Sequence, residues 1–327
     1  MVRYMLPKFG FFRKFSSQHQ IVFNTSSKLL QRNRAASARD SKEFDYLRDE
    51  AAKRLLVRLS DITRSFPIAL DLGANTGNIL SSLRSNDDSS SHIAGIRELH
   101  MIDSSNCMLF RDESIWSVKH KIVPTVIAHV APIEGSPLPF QDSSLDLVLS
   151  SMSLHWVNDL PGLFSEVLRV LRPDGCFMLA MPGGETLQEL RSSFYSAEMK
   201  LFGGASPHVS PMVSVADVGN LLTAAGFSLA TVDADTFTIE YASPAVLFRH
   251  LKGMGEGNAA LGRREGVRRK LITEASKVYF EEFPGEEDGV VASVQIIFGI
   301  GWKPDRSQPQ PKERGSVPKG FGVRKKT

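Results

Sequence analysis

Apolar and polar positions follow two rhythms along this chain. In Phe44–Ile62 ("FDYLRDEAAKRLLVRLSDI") apolar residues recur at helical spacing, which predicts an amphipathic helix. "PIALDLG" is too short and too rich in strand formers for a helix, so it predicts a buried strand, and "TGNILSSLR" opens a helix behind it. Further strands are predicted at "ELHMID", which ends on Asp103, at "VPTVIAHV", at Ser144–Leu154 and at "CFMLAMP". "LPGLFSEVLRVL" reads as an amphipathic helix stopped by "RPDG", and Ser85–His92 as a polar loop. Strands that alternate with helices predict an α/β fold with a doubly wound parallel sheet.

After Pro182 the rhythm changes. "GGETLQELRSSFYSAEMK" predicts a helix opened by a capping box of Thr186 and Glu189. Ser206–Pro211 reads as a rigid loop, and "VADVGNLLTAAGF" as a helix ended by Gly226. Strands follow at "SLATVDADTFTIEY" and Ser293–Trp302, so residues 183–292 hold a helical insert or lid. Gly253, Gly255 and Gly257 in "HLKGMGEGN" predict a turn near the mouth of the cleft. Residues 304–327, rich in Pro, Lys and Arg, read as a disordered tail.

The formal net charge of +3 hides an uneven distribution. Residues 1–39 carry eight Lys and Arg and no acid; without them the balance is 31 basic to 36 acidic residues, or −5. An acid-free, Arg- and Ser-rich opening has the composition of a mitochondrial or plastid transit peptide, which places the folded domain at 40–303. The mildly acidic remainder carries no nucleic-acid footprint. No apolar run is long enough for a transmembrane helix. Two cysteines, Cys107 and Cys176, argue against a disulfide framework or a metal knuckle.

The stretch "ALDLGANTG" holds the candidate chemistry. Gly73, Asn75 and Gly77 alternate, whereas a dinucleotide loop would read G-x-G-x-x-G with its acid further on. Here the acid, Asp71, comes first. A carboxylate there would repel a pyrophosphate but attract an ammonium group, which favours S-adenosylmethionine over a nicotinamide dinucleotide. Asn75 stands where the backbone needs a left-handed residue, the conformation asparagine tolerates best after glycine. Asp103 is placed to accept hydrogen bonds from a ribose diol, and Glu134 to meet the adenine amino group.

At these residues the chain resembles the class I S-adenosylmethionine-dependent methyltransferases, through "LDLGANTG", "HMID", "EGSPLPFQDSSLDLVLSS" and "VLRPDGCFML". A closer likeness, over about residues 43–317, is to the mitochondrial complex I assembly factors of the arginine-hydroxylase type. It rests on "SMSLHWVNDLP" (Ser151–Pro161), "GGETLQELR", "SPHVSP", "LKGMGEGN", "IGWK" and "QPQPKERGS". The resemblance implies a seven-stranded Rossmann-like sheet and a place in the mitochondrial matrix, soluble or peripheral to the inner membrane. It also implies, as partner, a matrix-arm subunit of complex I, one of whose arginines is modified.

Just past the fourth strand, His155 and Trp156 are the candidate substrate-facing residues: a base or hydrogen-bonding group, and an apolar or cation-binding wall. No histidine stands in the H-x-[DE] form of a non-haem iron site, so hydroxylation rests on the resemblance alone. In the insert, Arg191 and His208 are candidates to recognise a partner. Glu185 and Glu189 are candidates to meet an arginine, and Glu198 lies on the same predicted helix. Three readings stay open: a protein-arginine-modifying assembly enzyme, a methyltransferase acting on a small-molecule or carrier-protein carboxylate, and a non-catalytic scaffold.

Overall fold

The structure is a computed structural model, and it describes residues 21–85, 93–114, 124–263, 266–286 and 288–309. Expectations for residues 1–20, for most of the polar loop before Ile93 and for residues 310–327 lie outside the described residues.

Nine helices and seven strands follow one another among the described residues. The order is α1 (Thr25–Ala36), α2 (Tyr46–Ser60), β1 (Ile68–Leu72), α3 (Asn78–Ser85), β2 (Glu98–Asp103), α4 (Asn106–Leu109), β3 (Thr125–Val130) and β4 (Leu145–Ser151). Then come α5 (Leu160–Val170), β5 (Leu171–Pro182), α6 (Gln188–Phe202), α7 (Val215–Ala225), β6 (Ser228–Tyr241), α8 (Pro244–Met254), α9 (Arg269–Glu282) and β7 (Val290–Trp302). The strands form one sheet in the order β3-β2-β1-β4-β5-β7-β6. β1 to β5 pair parallel, as the pattern predicts. β7 departs from it, lying antiparallel to both β5 and β6. The reason lies in the insert: Tyr241 ends β6 directly opposite Val290, the first residue of β7. The helices between them leave and return at one sheet edge, so the chain must reverse as a hairpin does.

Helices cover both faces, as doubly wound sheets require. On one face α2 buries Ala51, Ala52, Leu55, Leu56 and Leu59, spaced along a single stripe. On the other, α5 buries Leu163, Phe164, Val167 and Val170, and α7 adds Val218 and Leu222. Each fully buried Leu contributes roughly 1.5–3 kcal/mol. A third cluster joins α6, α8 and α9 through Leu190, Phe194, Leu247, Leu271 and Tyr279. No helix among the described residues is long and apolar enough to cross a membrane.

Three expectations change. First, residues 21–39, read from composition as part of a leader, belong to the packed body. Asn24 caps α1, and its amide bonds to the Ala259 carbonyl, while Leu261 returns a bond to Val22. Phe23, Ala35 and Ala36 are buried. Second, Thr186 and Glu189 form no capping box. Leu187 precedes α6 in a left-handed conformation without a side-chain cap. The Thr186 hydroxyl and the Glu189 carboxylate instead bond to Gln295 and Ser293 of β7 and tie the insert to the sheet. Third, the tail does not begin at residue 304: the Gln308 amide bonds to Ser228 and Asp174.

Candidate functional site

β1, β2 and β4 carry Asp71, Asp103 and Ser151 to their carboxyl ends, the edge where open α/β sheets bind ligands. The loop after β1 turns through three left-handed residues, Gly73 (φ 77°), Asn75 (φ 51°) and Gly77 (φ 83°). A side chain at residue 73 would collide with Ser153, whose hydroxyl lies 2.1 Å from where its Cβ would stand. Asn75 does more than tolerate its conformation. Its amide nitrogen donates to the carbonyls of Gly73 (3.0 Å) and Ser151 (2.9 Å), stitching the loop to the end of β4.

Asp71 is 1% exposed, and its Oδ2 meets no hydrogen-bond donor among the described residues. Burial, and next the Asp103 charge, raise its pKa well above the ordinary carboxylate range. A lone buried carboxyl of this kind fits a cationic ligand group, because such a group would supply the missing partner. Asp103 is fully buried and fully engaged. Its carboxylate forms a bidentate pair with Arg32 of α1 (2.9 and 2.8 Å) and accepts the amides of Asn75 and Ser105. Arg32 also donates to the Asn75 side chain at 2.8 Å. The residue expected to take a ribose diol is therefore held by an arginine of this chain's own first helix.

Glu134 does not stand open to an adenine. Its carboxylate accepts the backbone amides of Asn158 and Asp159 and the Asn158 side chain. Asn158 in turn accepts the amides of Val22 and Phe23. Glu134 thus braces the turn before α5, and through it the segment leading into α1.

Four residues before Arg32, and so on the same face of α1, lies Lys28. It is 4% exposed. Its ammonium sits 3.3 Å from the centroid of the Trp156 ring and donates to the carbonyls of Gly255 (2.9 Å) and Gly257 (2.7 Å). Burial pulls its pKa down to about 7, with Arg32, Arg48 and Arg263 adding to the fall against the pull of Glu256. Glu256 follows the left-handed Gly255 that ends α8. Its carboxylate accepts from His155 Nε2 (3.0 Å), Trp156 Nε1 (2.7 Å) and Arg48 (3.1 Å). Burial pushes the Glu256 pKa up, but His155, Lys28 and Arg48 outweigh it and hold the group well below the carboxylate range. A carboxylate only accepts, so His155 must donate from Nε2. That leaves its buried Nδ1 without a partner among the described residues.

Of these groups, His155, Trp156 and Glu256 line a cavity of about 780 Å³. Met152, His155, Trp156 and Glu256 form one wall, and Leu187, Leu190, Phe194 and His208 another. Residues of the insert thus form one wall of the cavity. The insert's polar candidates separate. His208 lines the cavity, stacked on Phe194 and paired with the fully buried Glu198 at 3.1 Å. Glu185 is exposed and accepts from Gln295, and Arg191 is exposed and reaches the Gly184 carbonyl, so neither meets the cavity. Gly253 is helical and packs on the Phe44 ring rather than forming a turn, and Gly253, Gly255 and Gly257 all line the cavity. Sequence reasoning missed Glu256, Lys28 and Arg32. An acid between two glycines in "GMGEGN", and two cations one helical turn apart, were the only signals.

A methyltransferase-domain family matches residues 70–179. A zebrafish protein named arginine-hydroxylase NDUFAF5, mitochondrial, is 39% identical over 310 residues, covering 94% of this chain and 91% of that one. A malonyl-[acyl-carrier protein] O-methyltransferase of Halorhodospira halophila is 31% identical over 294 residues, covering 88% and 92% of the two chains. Among solved structures, the YcgJ protein of Bacillus subtilis aligns with a TM-score of 0.52 at 15% identity, over 78% of this chain and 99% of that one, a likeness of fold.

Proposed function

We propose, because this chain belongs to the NDUFAF5 family of mitochondrial arginine-hydroxylases, that it is a mitochondrial S-adenosylmethionine-binding enzyme that modifies an arginine of a protein partner. The partner, following the family resemblance, is a matrix-arm subunit of complex I bound during assembly. The observation that carries the reading is the junction of two sites. Asp71, buried at the carboxyl end of β1 with its Oδ2 unpartnered among the described residues, lies beside the left-handed loop from Gly73 to Gly77, and His155 and Trp156, just past the carboxyl end of β4, line the cavity with Glu256.

Asp71 would hold the cofactor's ammonium group, and Asp103 its ribose once Arg32 has moved aside. The chemistry the cofactor would supply when bound is a sulfonium centre. The chain's own residues then have distinct tasks. Glu256 fixes the His155 ring so that Nδ1 is the atom free to take a proton. The Trp156 ring offers a face to a cation. The apolar wall of Leu187, Leu190 and Phe194 keeps water from the side chain admitted. Inserting an oxygen atom into arginine also consumes an oxidant, which amino-acid side chains do not supply.

A second reading, methyl transfer to a carboxylate, draws on the Halorhodospira relative and on the basic rim of Arg34, Arg249, Lys252 and Arg263. Mass spectrometry of matrix-arm subunits from cells lacking this protein separates the readings. Loss of one oxygen's mass from an arginine supports the proposal. Loss of a methylene's mass means protein methylation. Unaltered subunits would leave the carboxylate methyltransferase or the scaffold.

A further inference from the structure

α1 places two cations in the heart of the site, one turn apart, and each occupies a position a ligand would need. Arg32 fills the Asp103 carboxylate, and Lys28 fills the space over Trp156. The surroundings of Lys28 make a receptor in their own right. A ring face lies below the ammonium, the carbonyls of Gly255 and Gly257 point at it, and Glu256 supplies negative charge. Trp156 is held in that pose by its own bond to Glu256 and by the edge of Phe23, 5.3 Å away between centroids.

We propose that Trp156, Glu256 and the carbonyls of Gly255 and Gly257 form the subsite that receives the cationic side chain of the substrate, and that Lys28 is its internal stand-in. The inference rests on the arginine reading above and deepens it by naming the receiving groups. Lys28 is a replaceable occupant for a physical reason. Burial draws its pKa to about 7, so near neutrality it is partly uncharged and gains little from a ring face. A guanidinium stays charged under the same burial, spreads its charge over a plane that stacks on an indole, and offers five donors to the waiting carbonyls and carboxylate. An arginine therefore gains from the cage what Lys28 forfeits. Because Lys28 and Arg32 share one helix face, displacing either loosens the other, which couples entry of the substrate cation to release of Asp103.

Around Lys28 the charged and titratable groups are Arg32 on its own helix, Arg48 of α2, His155 and Glu256 across the cavity wall, and Arg263. Arg48 and His155 are both bound to Glu256, which among the described residues leaves Lys28 the one cation there anchored by a ring and two carbonyls.

The test is calorimetric titration of the full chain with Nα-acetyl-arginine methylamide and with its neutral isostere, the citrulline derivative. Lys28→Gln keeps a donor for the two carbonyls but removes the charge. It should bind the arginine probe about tenfold more tightly than the parent, and Trp156→Leu about tenfold more weakly. The citrulline probe should bind neither. Equal or weaker arginine binding by folded Lys28→Gln, or equal binding of citrulline, overturns the proposal. Should Lys28→Gln fail to fold, the parent chain gives the answer: arginine binding must tighten from about pH 6 to about pH 8 as Lys28 discharges, and a flat or falling profile overturns the proposal. The outcome is separable from that of the arginine reading. Probe binding with unaltered subunits in the null cells would sink the function and keep the cage. An oxygen lost from subunit arginines with no probe binding would keep the function and sink the cage.

Discussion

The loop after β1 and helix α1 meet at one carboxylate, Asp103, yet they are specified in opposite ways. The loop carries its instructions locally. Gly73, Asn75 and Gly77 adopt the left-handed backbone that their residue types favour. α1 carries few of its own. It begins with an asparagine cap, but its buried residues include Lys28 and Arg32 beside Ala35 and Ala36, so it shows no apolar stripe. What seats it is pairing with groups from distant segments: Asp103, Glu134 through Asn158, Trp156, and the carbonyls after α8. A segment whose buried face is cationic looks like a leader until its partners are in view.

The comparison breaks most sharply at Arg32. Arg32→Leu keeps the helix and its bulk but leaves Asp103 buried without its cation. Urea denaturation should show a loss of about 3–5 kcal/mol, the usual cost of orphaning one partner of a buried pair. A neutral outcome would mean that α1 is only loosely seated and that the compositional reading of a leader holds to Asp40.

Asp71 offers the contrast, a buried carboxyl whose Oδ2 has no partner to lose among the described residues. Asp71→Asn should leave stability nearly unchanged or raise it, while weakening S-adenosylmethionine by about 1.5–3 kcal/mol in calorimetry. If binding survives intact, the cofactor's ammonium does not sit at this residue.

Asn75 tests how local the loop is. On backbone grounds alone Asn75→Gly should be harmless, since glycine takes the left-handed region without strain. The structure adds the side-chain bonds to Gly73, Ser151 and Arg32. The same substitution should therefore cost about 1 kcal/mol net in denaturation, the bonds lost outweighing the strain relieved. A gain in stability would return the loop to purely local control.

A last expected effect is one of pH. Lys28 has its folded pKa lowered to about 7 from an ordinary 10.5. Between those values the unfolded chain holds a proton that the folded chain lacks, so this group makes stability rise with pH through that window and adds nothing below it. Lys28→Gln should flatten that part of the profile in denaturation curves taken across the window. An unchanged slope would mean that Lys28 stays charged in its cage.

Most strands and helices were legible because each has its own period. β2 spans the predicted "ELHMID", and α5 lies within its predicted segment, because burial on a sheet face imposes the matching apolar spacing. The Thr186–Glu189 pattern misled because the motif encodes a helix start only if nothing else competes for those groups, and the unpaired amides and carbonyls of β7 did compete. Asp71 and Asp103 were legible as a pair of strand-end acids, but not which of them would be free.

By itself, the sequence determined the order of the strands, the parallel run of β1 to β5, the strand edge at which the acids Asp71 and Asp103 collect, and the left-handed loop beside them. All of these follow from periodicity and from conformational preferences that act within a few residues. Only the tertiary structure decided that Glu134 braces a turn, that β7 runs against its neighbours, that Glu256 orients His155 and Trp156, and that Lys28 and Arg32 lie in the site. Those outcomes depend on which buried charge and which unpaired carbonyl meet across a hundred or more residues of chain. Buried polar groups must find partners, and the partner's identity is fixed by where the packed elements bring it, not by its neighbours in sequence.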